Sequence, residues 1–220
     1  MLGNIDGPRM PPAAGGKPSS LVVLLHGYGS NGADLISLAP YWAKLLPNTQ
    51  FVAPNAPEPV PMAPGGFQWF PIARMDAREL AQGVARAAPA LGKFIDRELE
   101  RYQLPAARAA LVGFSQGTMM ALHVGLRRAG LAGIVGFSGA LPAPDTVKAE
   151  AQGRRPVLLV HGDQDDVVPV TATFDAADAL AAAGLSAQWH ISYGVPHSIG
   201  PDGLALAGDF LKAALAGKLA

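Results

Sequence analysis

Leu111-Val112-Gly113-Phe114-Ser115-Gln116-Gly117 is a short apolar run that ends in Gly-x-Ser-x-Gly. Just before it, Ala109-Ala110-Leu111-Val112 reads as a buried strand. After it, Met119, Met120, Leu122, Val124 and Leu126 make a helix apolar nearly all round, as a central buried helix requires. Arg127, Arg128 and Gly130 supply its last turn and its stop. A strand that turns at once into a helix leaves no room for a Cβ at Gly113 or Gly117. It forces Ser115 into a strained elbow, with its hydroxyl beyond the sheet at the positive end of the helix. Gly-x-Ser-x-Gly alone is frequent and equally describes a Gly-rich turn with a helix-capping serine; the flanking strand and helix give it weight here.

Outward from the elbow, strands and helices alternate. Leu21-Val22-Val23-Leu24-Leu25 is a continuous apolar strand of the kind buried on both faces of a parallel sheet. Phe51-Val52-Ala53, Gly133 to Gly139, Pro156 to Val160 and Ala187 to Tyr193 read as further strands. Helices are expected over residues 33–46, along the periodic run Leu80 to Tyr102, over residues 170–183, and from Pro201 to about Leu215. Pro89 should kink the second of these or split it in two. This alternation predicts an α/β fold with a mostly parallel sheet of six to seven strands and helices on both faces. Residues 1–20, rich in Pro and Gly, form an extended arm or a weak edge strand, too short to supply a full outer strand. Residues 21–220 form a single domain.

Composition narrows the function. The 220 residues carry 17 basic and 17 acidic side chains, with no cationic run, which argues against nucleic acid as a partner. There is no cysteine, hence no disulfide, no thiol nucleophile and no cysteine-based zinc site. The first 20 residues lack the pattern of a secretory signal, and no apolar run approaches a membrane span. A cytoplasmic protein without stable membrane insertion is expected. Twenty-six Gly and 20 Pro residues point to many tight turns.

Two stretches allow competing readings. Gly27-x-Gly29-x-x-Gly32, after a strand and before a helix, has the spacing of a dinucleotide-binding fingerprint, which would imply a nicotinamide- or flavin-dependent oxidoreductase. The acidic residue expected about 20 positions on, at the end of a second strand, is missing. That place holds Pro54-Asn55-Ala56-Pro57, with Glu58 beyond. The second stretch is the long connection from Pro54 to Met75, with six prolines and an apolar inventory of Met62, Phe67, Trp69 and Phe70. It reads either as a surface loop pinned by its aromatics or as one wall of a groove for an apolar substrate group.

In open α/β sheets the ligand site lies beyond the carboxyl ends of the strands. Three such ends carry catalytic residue types: Ser115 follows one, Asp163, Asp165 and Asp166 follow another, and His197 follows the last. A serine hydroxyl is a poor nucleophile until a base can take its proton. An acid then fixes the imidazole tautomer and stabilises the imidazolium. The order Ser, Asp, His is that of α/β-hydrolases. The rival to catalysis is a silent α/β domain that only binds a partner. No His, Asp or Glu spacing suggests a metal site, and acyl transfer by this route needs neither metal nor cofactor.

From about Leu21 onward the chain resembles the phospholipase/carboxylesterase family, which includes acyl-protein thioesterases and small bacterial carboxylesterases. The likeness rests on Leu25-His26-Gly27-Tyr28-Gly29 with Gly32, Ala53-Pro54-x-Ala56-Pro57, Trp69-Phe70 and the elbow. It continues in His161-Gly162-Asp163-x-Asp165-x-Val167-Val168-Pro169 and Gly194-x-x-His197-x-Ile199. The resemblance implies an α/β-hydrolase fold and a serine hydrolase acting through an acyl-enzyme on a small-molecule acyl ester or thioester, or on lysophospholipids. It makes Asp165 the triad acid, Asp163 a turn residue and Asp166 the reserve. It assigns the oxyanion hole to the backbone N–H groups of Tyr28 and Gln116, so that the glycines at 27, 29 and 32 shape an oxyanion loop. Tyr28 replaces the aliphatic residue common in the family and would narrow the acyl site, and Thr118 replaces a small residue. His26 and His161 are expected to stabilise turns, and His123 and His190 to have packing or surface roles. A homodimer is compatible with this reading.

Overall fold

The computed structural model describes residues 5–219. A seven-stranded sheet runs through its centre: β1 (Arg9–Met10), β2 (Ser20–Leu25), β3 (Thr49–Val52), β6 (Ala109–Phe114), β7 (Gly133–Phe137), β8 (Val157–Gly162) and β9 (Ala187–Ser192). Their spatial order is β1-β3-β2-β6-β7-β8-β9, with every neighbouring pair parallel except β1 and β3. The alternation along β2 divides the core. Leu21, Val23 and Leu25 face the layer containing α3 (Ala77–Tyr102), α4 (Gln116–Leu126) and α6 (Thr171–Ala182). Val22 and Leu24 face α1 (Gly32–Ile36), α2 (Ala39–Ala43) and α7 (Pro201–Leu215). Continuous apolar strands are therefore buried on both faces, as the composition of β2 and β6 predicts. A short helix, α5 (Val147–Glu150), links β7 to β8, and β4 (Glu58–Pro59) pairs with β5 (Phe67–Gln68) in a separate small hairpin.

Three local expectations are revised. The helix expected over residues 33–46 is two short helices, α1 and α2, separated at Ser37 and Leu38. In one continuous helix, residue 40 would donate its N–H to the carbonyl of Ile36; Pro40 has no N–H, and its ring would crowd that carbonyl. Pro89 does not split α3, which runs unbroken for 26 residues. Pro89 and Ala85, whose carbonyl loses its partner, both face solvent, so water can satisfy the freed group. The Pro54–Met75 connection is partly ordered by the β4–β5 hairpin, and Phe67 N donates to Ser30 O at 2.7 Å, tying the hairpin to the loop after β2.

The arm joins the sheet as β1, only two residues long. An ion pair holds it. Arg9 donates Nε to Glu98 Oε2 at 3.0 Å and Nη2 to Glu98 Oε1 at 2.7 Å, and the Glu98 side chain is fully buried on α3. Arg101, at 3.5 Å, is the second cation beside it. Removing one member of such a pair strands a buried charge, whereas replacing both with apolar groups is nearly neutral. Arg9→Met is expected to lower unfolding stability by about 2–3 kcal/mol. Arg9→Met/Glu98→Leu should recover most of that loss in urea denaturation, and a double variant no more stable than the single would contradict this account.

Candidate active site

Where β6 meets α4, the backbone is compressed. A Cβ on Gly117 would lie 1.9 Å from Leu25 O, and one on Gly113 would lie 2.3 Å from Gly117 O. Only glycine fits at either place. Between them Ser115 adopts φ 53° and ψ −116°, a conformation costing about 1–3 kcal/mol for a residue with a Cβ. Ser115 N donates to Phe137 O at 2.9 Å, while Ser115 O accepts from Thr118 N and Met119 N and so starts α4. As the first residue of α4, Gln116 has no intrahelical acceptor for its N–H. All eleven α4 residues are buried. The far end of α4 is closed by the buried Arg155, whose guanidinium donates to Gly125 O, Arg128 O, Gln152 O and Gly153 O. A cation there complements the negative end of the helix dipole.

Two loops bring an acid and an imidazole to the same end of the sheet. Asp165 sits in the turn after β8 with its side chain fully buried. Its Oδ1 accepts from Val167 N at 3.0 Å and Val168 N at 2.8 Å, and its Oδ2 accepts from His197 Nδ1 at 2.7 Å. Burial opposes ionisation of this carboxyl, yet the hydrogen bonds from His197, Val168 and Val167 hold its pKa below the ordinary range. His161 Nε2, 3.1 Å from the same Oδ2 and 2.9 Å from Val168 O, adds another donor, while Thr173 Oγ1 lies against His161 Nδ1 at 2.8 Å.

Asp163 has a different place. It accepts from Gly194 N through Oδ1 at 2.6 Å and donates its own N–H to Ser192 O, stitching the acid-bearing turn to the loop that carries His197. Asp166 is exposed and contributes no bond to this cluster.

Ser115 and His197 both line a groove of about 370 Å³, walled by Tyr28, Leu35, Leu38 and Ile199. The ring of Phe114 packs on the His197 imidazole with centroids 4.9 Å apart. Tyr28 is about half exposed at the rim. In the Gly27-to-Gly32 loop, Gly29 is left-handed at φ 76°, its N–H donates to Phe67 O, and Gly32 N donates to Asn55 Oδ1. The loop is thus bound by its own protein neighbours, and the helix after it has only five residues. The oxidoreductase reading of these glycines is not favoured.

His26 is a structural hub. Its Nε2 accepts from Ala56 N at 2.9 Å, which leaves the proton on Nδ1 to donate to Gly27 O at 2.7 Å. Both ring nitrogens are spent, and burial lowers its pKa, so it stays neutral.

The aromatic loop does not wall the groove beside Ser115, and none of its four candidates lines it: Trp69 and Phe70 are fully buried, Met62 is almost wholly exposed, and Phe67 is half-buried against the core. Trp69 Nε1 donates to His26 O at 3.0 Å. The Gln116 side chain accepts from Trp69 N at 2.8 Å and donates to Phe70 O at 2.7 Å. The residue after the elbow serine therefore pins this loop against the site, a role no local pattern signals. Two other contacts escape sequence reading. Thr118 Oγ1 donates to Phe137 O at 2.7 Å, the carbonyl that also receives Ser115 N. His190 Nε2 meets Asp202 Oδ2 at 2.7 Å; that bond, with others from the Gly203 backbone and Ser192, pulls the Asp202 pKa down to about 2. His123 keeps its packing role: burial depresses its pKa to about 4, so it is neutral near pH 7.

Known proteins share this arrangement of strands and loops. Esterase PE8, 44% identical, superposes with a TM-score of 0.91 over 96% of this chain and 99% of its own. Acyl-protein thioesterase 2 of Zea mays, 26% identical, gives a TM-score of 0.68 over 94% and 97%. In sequence, acyl-protein thioesterase 1 of Schizosaccharomyces pombe is 34% identical over 176 residues, covering 74% of this chain and 75% of the relative. Among the described residues, no helix is long and apolar enough to cross a membrane. Residues 12–215 match the family described as Phospholipase/Carboxylesterase, and the chain belongs to that family of α/β-hydrolases.

Proposed function

We propose that Ser115, His197 and Asp165 form the triad with which this hydrolase cleaves carboxylic esters. The observation that carries the reading is the 2.7 Å bond from His197 Nδ1 to a buried, ionised Asp165, with that imidazole and the Ser115 elbow lining one groove. His197 Nε2 takes the Ser115 proton as Oγ attacks the acyl carbon. The N–H groups of Tyr28 and Gln116 receive the oxyanion that forms. The imidazolium then protonates the departing alcohol, leaving an acyl-serine. Water, deprotonated by the same imidazole, attacks that ester, and the carboxylic acid leaves with Ser115 restored.

The acyl-protein thioesterases among its relatives favour thioesters as a second substrate class. The sulfur leaving group needs less help from the imidazolium than an alkoxide does. Within the groove, the apolar Leu35, Leu38 and Ile199 suit an acyl or alkyl group, and the Tyr28 ring at the rim limits its length, so short- to medium-chain esters are the best fit. Trp69 and Phe70 would act through the loop they anchor, and Met62 and Phe67 remain the members of that set within reach of solvent. A cytoplasmic enzyme suits a chain that has no cysteine and hence no disulfide. All three triad residues come from one chain, so the reading holds for a monomer or a homodimer.

Hydrolysis of a p-nitrophenyl acyl series, short to long, tests the reading. Ser115→Ala should cut turnover by roughly 10⁶-fold, and full activity in that variant would end the assignment. Asp165→Asn should cost roughly 10⁴-fold. The new amide N–H₂ would face His197 Nδ1, turn the imidazole to the tautomer that cannot accept the serine proton, and set a donor against His161. An unchanged rate there, with loss at Asp166→Asn, would move the acid one residue along. Tyr28→Leu should shift the preferred acyl length upward, and an unmoved optimum would show that another element sets it.

A further inference from the structure

The first turns of α3 and the segment Pro71–Arg74 enclose a cleft of about 410 Å³ that shares no lining residue with the Ser115 groove. Its walls carry three guanidinium groups, Arg74, Arg78 and Arg86, and one carboxylate, Glu79. Arg78, Gln82 and Arg86 follow at four-residue intervals and so lie along one ridge of the helix, with Arg74 on the facing segment.

Glu79 does not neutralise them. Its Oε1 accepts from Ala73 N at 2.9 Å, and its Oε2 accepts from Arg74 N and Met75 N, each at 2.8 Å. Those three bonds turn the carboxylate toward the backbone and lower its pKa. Among the described residues, the Arg78 guanidinium has no ion-pair or hydrogen-bond partner, and Arg86 comes only within 3.9 Å of Glu58, whose other oxygen accepts from Gln68. Arg74 is paired with Asp76 at 2.7 Å. Arg74 is thus offset and Arg86 only loosely held, which leaves the Arg78 guanidinium as the cation of the lining with no counter-charge. It lies, moreover, at the positive end of a 26-residue helix, where cations are disfavoured.

We propose that this cleft is a second ligand site, which binds a phosphate group. Arginine forks match phosphate oxygens in pairs, and a phosphate presents enough oxygens to engage the unpaired Arg78 and the loosely held Arg86 together. The long side chains of Arg78 and Arg86, about two turns or ~12 Å apart along the helix, can reach toward one anion, with the Gln82 amide between them as a further donor. The phosphate is either that of a free phosphorylated molecule or that of a phospholipid headgroup. Either would be held through the same guanidinium groups.

The test is titration of the intact chain with inorganic phosphate by calorimetry, beside Arg78→Gln/Arg86→Gln, which removes both charges while keeping helix propensity at exposed positions. Melting temperature and p-nitrophenyl ester turnover are read on the same samples, so failure here is distinguishable from failure of the triad. The expected result is saturable binding that weakens roughly tenfold or more in the double variant and survives chloride at matched ionic strength. Co-sedimentation with phosphatidic-acid vesicles but not phosphatidylcholine vesicles, lost in the double variant, would identify the headgroup as the source. Phosphate binding without vesicle pelleting would identify a soluble ligand. Equal binding by both proteins, displacement by chloride alone, or neither phosphate nor vesicle binding would overturn the proposal.

Discussion

The close crossing of β6, β2 and the start of α4 is the constraint on which the rest depends. Two glycines let the helix begin against the strand ends, where a Cβ would strike Leu25 O or Gly117 O. The serine between them must then take a left-handed backbone. That strain is maintained by what surrounds it: Ser115 N is held by Phe137 O, Thr118 holds the same carbonyl, and α4 is buried along its whole length. A strained residue persists only where its neighbours over-determine it, and here three strands and a helix do so.

From the elbow the site is assembled by hydrogen bonds between chain segments distant in sequence. Gln116 ties the Trp69–Phe70 segment to the helix start, Trp69 in turn ties to His26, and His26 ties to Ala56 and Gly27. On the other side Asp163 and Asp165 divide the work of one turn. The first binds the backbone of the loop bearing His197, and the second binds the imidazole itself. The buried Asp165 carboxylate is affordable because its two oxygens accept from two backbone N–H groups and His197, with His161 close by.

The arm and the helix ends show the same economy of charge. Glu98 is fully buried but meets the Arg9 fork, and Arg155 is buried but caps four carbonyls. Around the cleft at the start of α3, Arg74 pairs with Asp76 and Arg86 lies only within 3.9 Å of Glu58, whereas the Arg78 guanidinium has no partner among the described residues, and this contrast within one molecule makes that cleft conspicuous.

Sequence alone determined the alternation of strands and helices, the buried character of β2, β6 and α4, and the elbow, because each is a local pattern of apolar spacing and glycine. The order Ser, Asp, His at strand ends was likewise legible, since a parallel sheet brings its carboxyl ends to one side. The break at Pro40 was there to be read from the missing N–H, whereas the continuity of α3 through Pro89 depended on which face of the helix meets water. Only the tertiary structure decided that Trp69 and Phe70 are core, that Gln116 holds them, that Arg9 reaches Glu98 and that His190 finds Asp202. Such pairs join residues far apart in the chain, where no periodicity links them; the packing of separate elements sets their distances.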